Sequence, residues 1–330
     1  MHPLVIVFGV ATIGAVAKEW MGAKQRSTLL QKTFTELHEA IKHEQFGERE
    51  LLRQRRELLL EQLGLNLPEG IRLRAFDQGS YAMQTGVRPL CGEFDIDIGL
   101  ILQCDKSRFA NSIEAKRMVH DALARGSRSV SIRRSCVTVH YTKAGFGDFH
   151  VDIAVYATGP NDKLYLARGR ERSKAEKKIW EHAEPERLTA LVNRRFSGAE
   201  LTQFRRCIRY LKRWKQVNFT TPTPYSIALT IAAYHWFQPH LGFFGNVPND
   251  LEALLTLTER MLSNFSRSKL QVPLPVAPCT DLMASMTEKQ MVNLEEKLKS
   301  LYVGLEQARD AKNFSDSLKI FEYHFGVEFG

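Results

Sequence analysis

Three aspartates hold the chemistry that this sequence could perform. Asp95 and Asp97 stand two apart in the alternating run Phe94-Asp95-Ile96-Asp97-Ile98, and Asp152 sits in a second such run, Val151-Asp152-Ile153-Ala154-Val155. On a strand, side chains at i and i+2 share a face, about 6.5 Å apart along the chain. Both carboxylates of the first run therefore point one way, while Phe94, Ile96 and Ile98 enter a core. Like charges at that separation oppose each other's ionisation unless cations compensate. Mg²⁺, a hard ion that takes oxygen ligands, would compensate. If the Asp152 strand lies beside the Asp95/Asp97 strand, three carboxylates meet, which is the ligand set of two-metal phosphoryl transfer. One ion then activates an attacking hydroxyl, and the other stabilises a triphosphate and its leaving pyrophosphate. Asp152 would serve the hydroxyl side and could accept its proton. Taken alone, an Asp-x-Asp pair is more often a chance polar strand face, so the flanking residues decide.

Upstream of Asp95 stands Gln78-Gly79-Ser80-Tyr81. A glycine lets backbone N–H groups approach a phosphate closely, and a serine adds a hydroxyl donor. Gly-Ser, a short linker and a strand with Asp-x-Asp together resemble the polymerase-β-like nucleotidyltransferases. The stretch DQGSYAMQTGVRPLCGEFDIDIGLIL (77–102) resembles the nucleotidyltransferase motif of the CD-NTases, the cyclic GMP-AMP synthase and DncV-like enzymes of bacterial CBASS anti-phage defence. HVDIAVYA (150–157) is similar to their third-aspartate strand. IWEHAEPERL (179–188), RYLKRWK (209–215), TPYSIALT (223–230) and FEYHFGVEFG (321–330) fall where that family has similar segments.

The resemblance implies an α+β fold. Its polymerase-β-like core would have a mixed sheet bearing the three aspartates, with an N-terminal spine helix and a C-terminal helical bundle. It implies that nucleoside triphosphates (ATP, GTP or a pyrimidine) are joined without a template and closed into a ring, making a second messenger. Asp95, Asp97 and Asp152 would then be ligands to two Mg²⁺ ions, for which Mn²⁺ could substitute. Gly79 and Ser80 would bind the triphosphate, with Gln78 and Tyr81 flanking them. Lys212, in the family's LK-x-W pattern, would reach the donor triphosphate. Arg205, Arg209 and Lys212 also share one helix face opposite the Phe204/Ile208/Leu211 stripe. Tyr225 and Ser226 fall where the family has a small polar residue near the nucleotide, with the spacing from Lys212 shifted by about one residue. Gly330 would suit conjugation by a ubiquitin-transfer-like partner, since an unbranched terminus fits a narrow site.

The elements that must position these residues follow from periodicity. Residues 28–63 have helical spacing, as one helix or two in series, with a capping-box pattern at Thr28–Gln31 and Gly47 as a point of interruption. Residues 71–156 show short alternating runs. Between the two aspartate strands lie a helix at about 107–125 and a strand from Cys136 to Thr142, with a hairpin connection over 143–147. Residues 161–186 are highly charged and suit an exposed connector, with Leu164, Tyr165 and Leu166 able to pack. From 187 onward the pattern is helical, interrupted by Pro273, Pro275 and Pro278, and Thr287–Gln290 forms a second capping box. The expected division is an apolar N-terminal segment (1–26), a nucleotidyltransferase core with its spine helix (27–186) and a helical domain (187–330). His150 is expected to be structural and Arg88 to form a loop salt bridge. Trp180, Trp214 and Trp236 suit packing.

The chain has 330 residues, 44% of them hydrophobic, enough for a sizeable core. Its net charge of +9 suits polyanionic ligands. Five cysteines without a CxxC argue against zinc and a disulfide framework, and for a reducing cytoplasm. The apolar run 3–17 is short for a membrane helix and lacks a positive start. It suits a buried helix or an extension ahead of Met21. Two other functions compete. One is nucleotidyl transfer to another acceptor: a tRNA end, a protein hydroxyl or a small molecule. The other is a non-catalytic RNA- or nucleotide-binding relative, which the intact aspartates and Gly-Ser pair disfavour.

Overall fold

The computed structural model describes residues 22, 25–42, 46–90, 94–125, 129–141, 149–242 and 247–328. The apolar run 3–17, Met21, the connection 143–147 and Gly330 lie outside them, as does the side chain of Asp95. Two helices lead, α1 (25–41) and α2 (Phe46–Asn66). The alternating segment then forms β1 (Leu73–Asp77), the one-turn helix α3 (Gly79–Ala82), β2 (Phe94–Asp105), α4 (Ser112–Leu123), β3 (Ser129–Ile132), β4 (Val137–Tyr141), β5 (Phe149–Thr158), β6 (Leu164–Arg168) and β7 (Ile179–His182). The strands make one seven-stranded mixed sheet in the order β1-β2-β5-β4-β3, with β6 on β5 and β7 on β6. Among the paired strands, β2 and β5 run parallel and the others antiparallel. β2 lies along one edge of β5. β4 takes the first part of the other edge, and β6 takes the end of it.

Period two divides the sheet into two faces. Ile96, Ile98, Leu100, Val151, Ile153 and Val155 are buried against Leu59 and Leu63 of α2 and Val119 and Leu123 of α4. The opposite face has Asp97 and Ile101 on β2, with His150, Asp152, Ala154 and Tyr156 on β5. Phe76, Ile101, Ala154 and Tyr156 form a small apolar patch there. Gly99 is required beneath it, because a Cβ at 99 would run into the Phe76 ring. The buried Lys116 of α4 donates to the carbonyls of Arg133, Arg134 and Gly169, tying the β3–β4 turn to the end of β6.

The second core is helical. It comprises α5 (Pro185–Asn193), α6 (Gly198–Asn218), α7 (Ser226–Trp236), α8 (Asp250–Ser263), α9 (Glu288–Asp310) and α10 (Phe314–Phe325), with a short hairpin of β8 (Phe265–Ser266) and β9 (Lys269–Leu270). Leu30, Phe34, Leu37 and Ile41 of α1 pack here, among Phe204, Tyr210, Trp214, Phe321 and Phe325. Asp250 is fully buried at its centre. It accepts from Arg206 Nε (2.6 Å) and Nη2 (2.8 Å) and from Gln203 (3.2 Å), with the Tyr210 hydroxyl 2.9 Å away. Trp214 is fully buried, and Trp180 and Trp236 are partly buried against the two cores, as packing residues.

Several expectations change. Helix α1 is already formed at residue 25, so Thr28 does not cap it. Gln31 instead accepts from the Asp250 backbone N–H (2.7 Å). The break between α1 and α2 precedes Gly47, near Lys42, which bridges to Val87. The charged stretch 161–186 is not simply a connector: β6 and β7 lie in it, and Arg168 pairs with Glu181 across them (2.5 Å). Arg88 forms no ion pair among the described residues, and its backbone N–H donates to Ile41 (2.8 Å). The Thr287/Gln290 capping box is present as expected.

The buried Asp250 yields a stability prediction. Removing one partner of a buried, hydrogen-bonded ion pair costs about 3–5 kcal/mol. Asp250→Ala is expected to lower the unfolding free energy by about that amount in urea denaturation. A change below about 1 kcal/mol would show that Arg206 finds another partner.

Candidate functional site

The site begins where β1 stops pairing with β2. The last rung joins Asp77 to Ile98, and Gln78 N–H then donates to the Asp97 carbonyl (3.2 Å). The chain turns at Gly79, whose φ of +67° is in the left-handed region, and enters α3. A Cβ at 79 would collide with the Asp97 carboxylate, so the loop backbone lies directly against that side chain. Ser80 follows in α3, and its carbonyl accepts from Thr85 N–H (2.9 Å), closing the turn. Tyr81 is half-buried in the same helix.

Parallel pairing brings the aspartate strands together. Asp95 is level with His150, and Asp97 with Asp152. Adjacent strands lie about 4.8 Å apart, so Asp97 and Asp152 are lateral neighbours on one face. On the far side of β5, His140 is level with His150 and Thr138 with Asp152. Thr138 is buried, and its hydroxyl donates to Asp152 Oδ1 (2.5 Å). The rings of His140 and His150 are 5.9 Å apart, and His140 Nε2 lies 3.2 Å from Ser131 Oγ. Cys136 Sγ is 3.6 Å from Thr138 Oγ1. Burial, and then the neighbouring Asp152, push the Cys136 thiol up to about 12. It therefore stays protonated and unreactive at neutral pH. Burial, and then Asp97, likewise raise the Tyr156 phenol, whose hydroxyl donates to Gln78 Oε1 (3.0 Å).

The helical half reaches into this loop. Asn193 of α5 donates to the Ala82 carbonyl (3.0 Å). From α6, Arg209 donates to Gln84 (2.7 Å) and Gly86 (3.1 Å), and Lys212 Nζ to the Thr85 carbonyl (3.1 Å) and hydroxyl (3.0 Å). Gln84 itself has a positive φ of 55°. Arg209 also lies 3.1 Å from His38 Nε2. Burial, and then the arginine's charge, lower that histidine to about 4, so it is neutral and accepts. The basic face of α6 is not open: Arg209 and Lys212 are buried against the loop, and Arg205 bonds to Asn193 (3.0 Å). Tyr225 caps α7 and Ser226 opens it; both are exposed. Among the described residues, neither side chain bonds to the aspartates or the loop. Asn193, Thr138 and Arg209's loop contacts are additions that sequence reasoning missed. The alternation of 137–141 does place Thr138 and His140 on one face.

The donor set fits a divalent cation. Asp97 and Asp152 offer hard oxygen ligands side by side. Two carboxylates so placed favour a bound cation over mutual repulsion, and no Lys or Arg pairs with Asp152 among the described residues. Those residues include no cluster of three or more His, Cys, Asp or Glu able to hold a metal; the Asp95 side chain is not among them.

The Gly79 contact is testable. Gly79→Ala would place a methyl group on the Asp97 carboxylate and cost about 1–2 kcal/mol for a left-handed non-glycine residue. Nucleotidyl transfer is expected to fall at least about tenfold, with the melting temperature lowered by only a few degrees. Wild-type kcat/KM in the variant would show that the close approach is dispensable.

Residues 73–156 match the family described as cyclic GMP-AMP synthase DncV-like, nucleotidyltransferase domain. No curated protein matches the chain. Among solved structures, the Bradyrhizobium diazoefficiens CD-NTase CdnG in complex with GTP is similar at 18% identity, over 90% of this chain and 95% of that one, with a TM-score of 0.70. The E. coli MS115-1 CdnC structure with ATP is similar at 17% identity, over 91% and 98%, with a TM-score of 0.65. The Vibrio cholerae DncV cyclic AMP-GMP synthase is similar at 18% identity, over 97% and 91%, with a TM-score of 0.63. Among the described residues no helix is long and apolar enough to cross a membrane. The resemblance first drawn from residues 77–102 and 150–157 is thus borne out: residues 73–156 match the DncV-like nucleotidyltransferase domain, and the chain shares the fold of these solved CD-NTase structures.

Proposed function

We propose that this nucleotidyltransferase joins nucleoside triphosphates into a small cyclic oligonucleotide, a second messenger of anti-phage defence, with release of pyrophosphate. One observation carries the reading. Asp97 and Asp152 are level on parallel strands, and the Gly79 turn lies against Asp97. Carboxylates and a phosphate-binding turn are what nucleotidyl transfer requires at one point. The triphosphates seen with the similar structures, GTP with CdnG and ATP with CdnC, support this substrate class.

In this reading Asp95, Asp97 and Asp152 would hold two Mg²⁺ ions, which would supply charge stabilisation and lower the pKa of the attacking hydroxyl. Gly79 N–H and the Ser80 hydroxyl bind the donor triphosphate, flanked by Gln78 and Tyr81. Lys212, fixed on Thr85, brings a positive charge to the base of that loop. Tyr225 and Ser226, exposed at the start of α7, would meet a base. Asp152 accepts the proton of the acceptor hydroxyl. The enzyme works in the cytoplasm.

The test uses purified protein, all four nucleoside triphosphates and Mg²⁺ or Mn²⁺, followed by phosphatase and mass spectrometry. A phosphatase-resistant cyclic product is expected. Asp97→Asn and Asp152→Asn should each lower its formation by about 10²–10³-fold or more, the scale of a single preorganised electrostatic element. Metal-dependent transfer to an RNA end or a protein, with no cyclic product, would overturn the cyclase reading. Undiminished product from both variants would overturn the site.

A further inference from the structure

The proposed site uses Asp152 but leaves unexplained the residue that touches it. Thr138 is fully buried on β4, level with Asp152, and its Oγ1 lies 2.5 Å from Asp152 Oδ1. A carboxylate only accepts, so the hydroxyl proton is committed to Asp152. The Cys136 sulfur lies 3.6 Å from the same hydroxyl oxygen. A β-branched side chain in a strand has few χ1 options. The bond is thus made by a stiff donor on a paired strand, buried on every side.

We propose that Thr138 is a positioning residue for Asp152: it occupies Oδ1 and fixes the carboxylate's orientation, leaving Oδ2 for the metal on the acceptor-hydroxyl side. This rests on the nucleotidyltransferase reading of the site. Metal ligands are commonly oriented by such outer hydrogen bonds, whose loss costs about 10–100-fold in metal affinity or activity. Asp97 and the Gly79 turn make no use of Thr138, so the donor triphosphate should bind normally without it. The consequence is a split: Thr138 governs the acceptor half of the reaction and leaves the donor half alone.

Three proteins test it: wild type, Thr138→Val, which keeps the shape without the hydroxyl, and Thr138→Ser, which keeps the hydroxyl with less stiffness. Mn²⁺ binding is titrated by the loss of the free-ion paramagnetic resonance signal, alongside steady-state kinetics and thermal denaturation. Thr138→Val is expected to weaken the lower-affinity Mn²⁺ step about 10–100-fold. It should lower kcat by a similar factor and leave the donor KM within about twofold. Thr138→Ser is expected to restore both to within about threefold of wild type. Equal losses in Val and Ser, or losses that track the melting temperature, would show Thr138 to be a packing residue and overturn the proposal. So would Mn²⁺ affinity in Val within twofold of wild type. If the wild type makes no oligonucleotide, the function reading fails, while the Mn²⁺ titration still decides the role of Thr138.

Discussion

The site depends on the parallel pairing of β2 with β5. A one-residue slip of β2 would turn Asp97 toward the α2/α4 core and Ile96 and Ile98 away from it. The register is held because Ile96, Ile98, Val151, Ile153 and Val155 bury on the far face, while Gly99 admits the Phe76 ring on the near one. Apolar burial on one face thus sets where charge gathers on the other. β1 then delivers Gly79 to Asp97 because its pairing with β2 runs out at Ile98 and Gln78 adds one more bond to the Asp97 carbonyl.

The second constraint comes from the helices. The carbonyl of Ala82 at the end of α3, and those of Gln84, Thr85 and Gly86 in the loop after it, accept from Asn193, Arg209 and Lys212. The loop that would cradle phosphate is therefore shaped by residues more than a hundred positions away. Helix α1 shares this arrangement, since His38 meets Arg209 and its apolar stripe lies in the helical core. Any displacement of α6 relative to the sheet would be felt at residues 82–86 before it reached the aspartates.

Much of this was legible in the sequence. Alternation around Asp97 and Asp152 revealed both the strands and their faces, because a half-buried strand writes its burial into every second residue. The Thr287 box was legible because capping is local. Thr28–Gln31 has the same pattern but lies inside a helix, where tertiary contact with Asp250 takes Gln31 instead. β6 and β7 were obscured by the charges between them: the exposed Arg170, Glu171, Arg172 and Lys174 outweigh the short apolar runs that pair. That Arg209 and Lys212 are covered by the loop could not be read, because periodicity shows which residues share a side of a helix, not what covers that side. Thr138 could be placed on a face but not opposite Asp152, since register is not written in either strand alone.

In the proposed reaction these carboxylates and the Gly79 loop hold metal and triphosphate at one point. Crystals grown with Mn²⁺ and a non-hydrolysable ATP analogue test it most directly through anomalous scattering. Two peaks about 3.5–4 Å apart are expected, bound by Asp95, Asp97 and Asp152, with the triphosphate on Gly79 and Ser80. Peaks elsewhere, or a triphosphate bound away from the Gly79 turn, would contradict it.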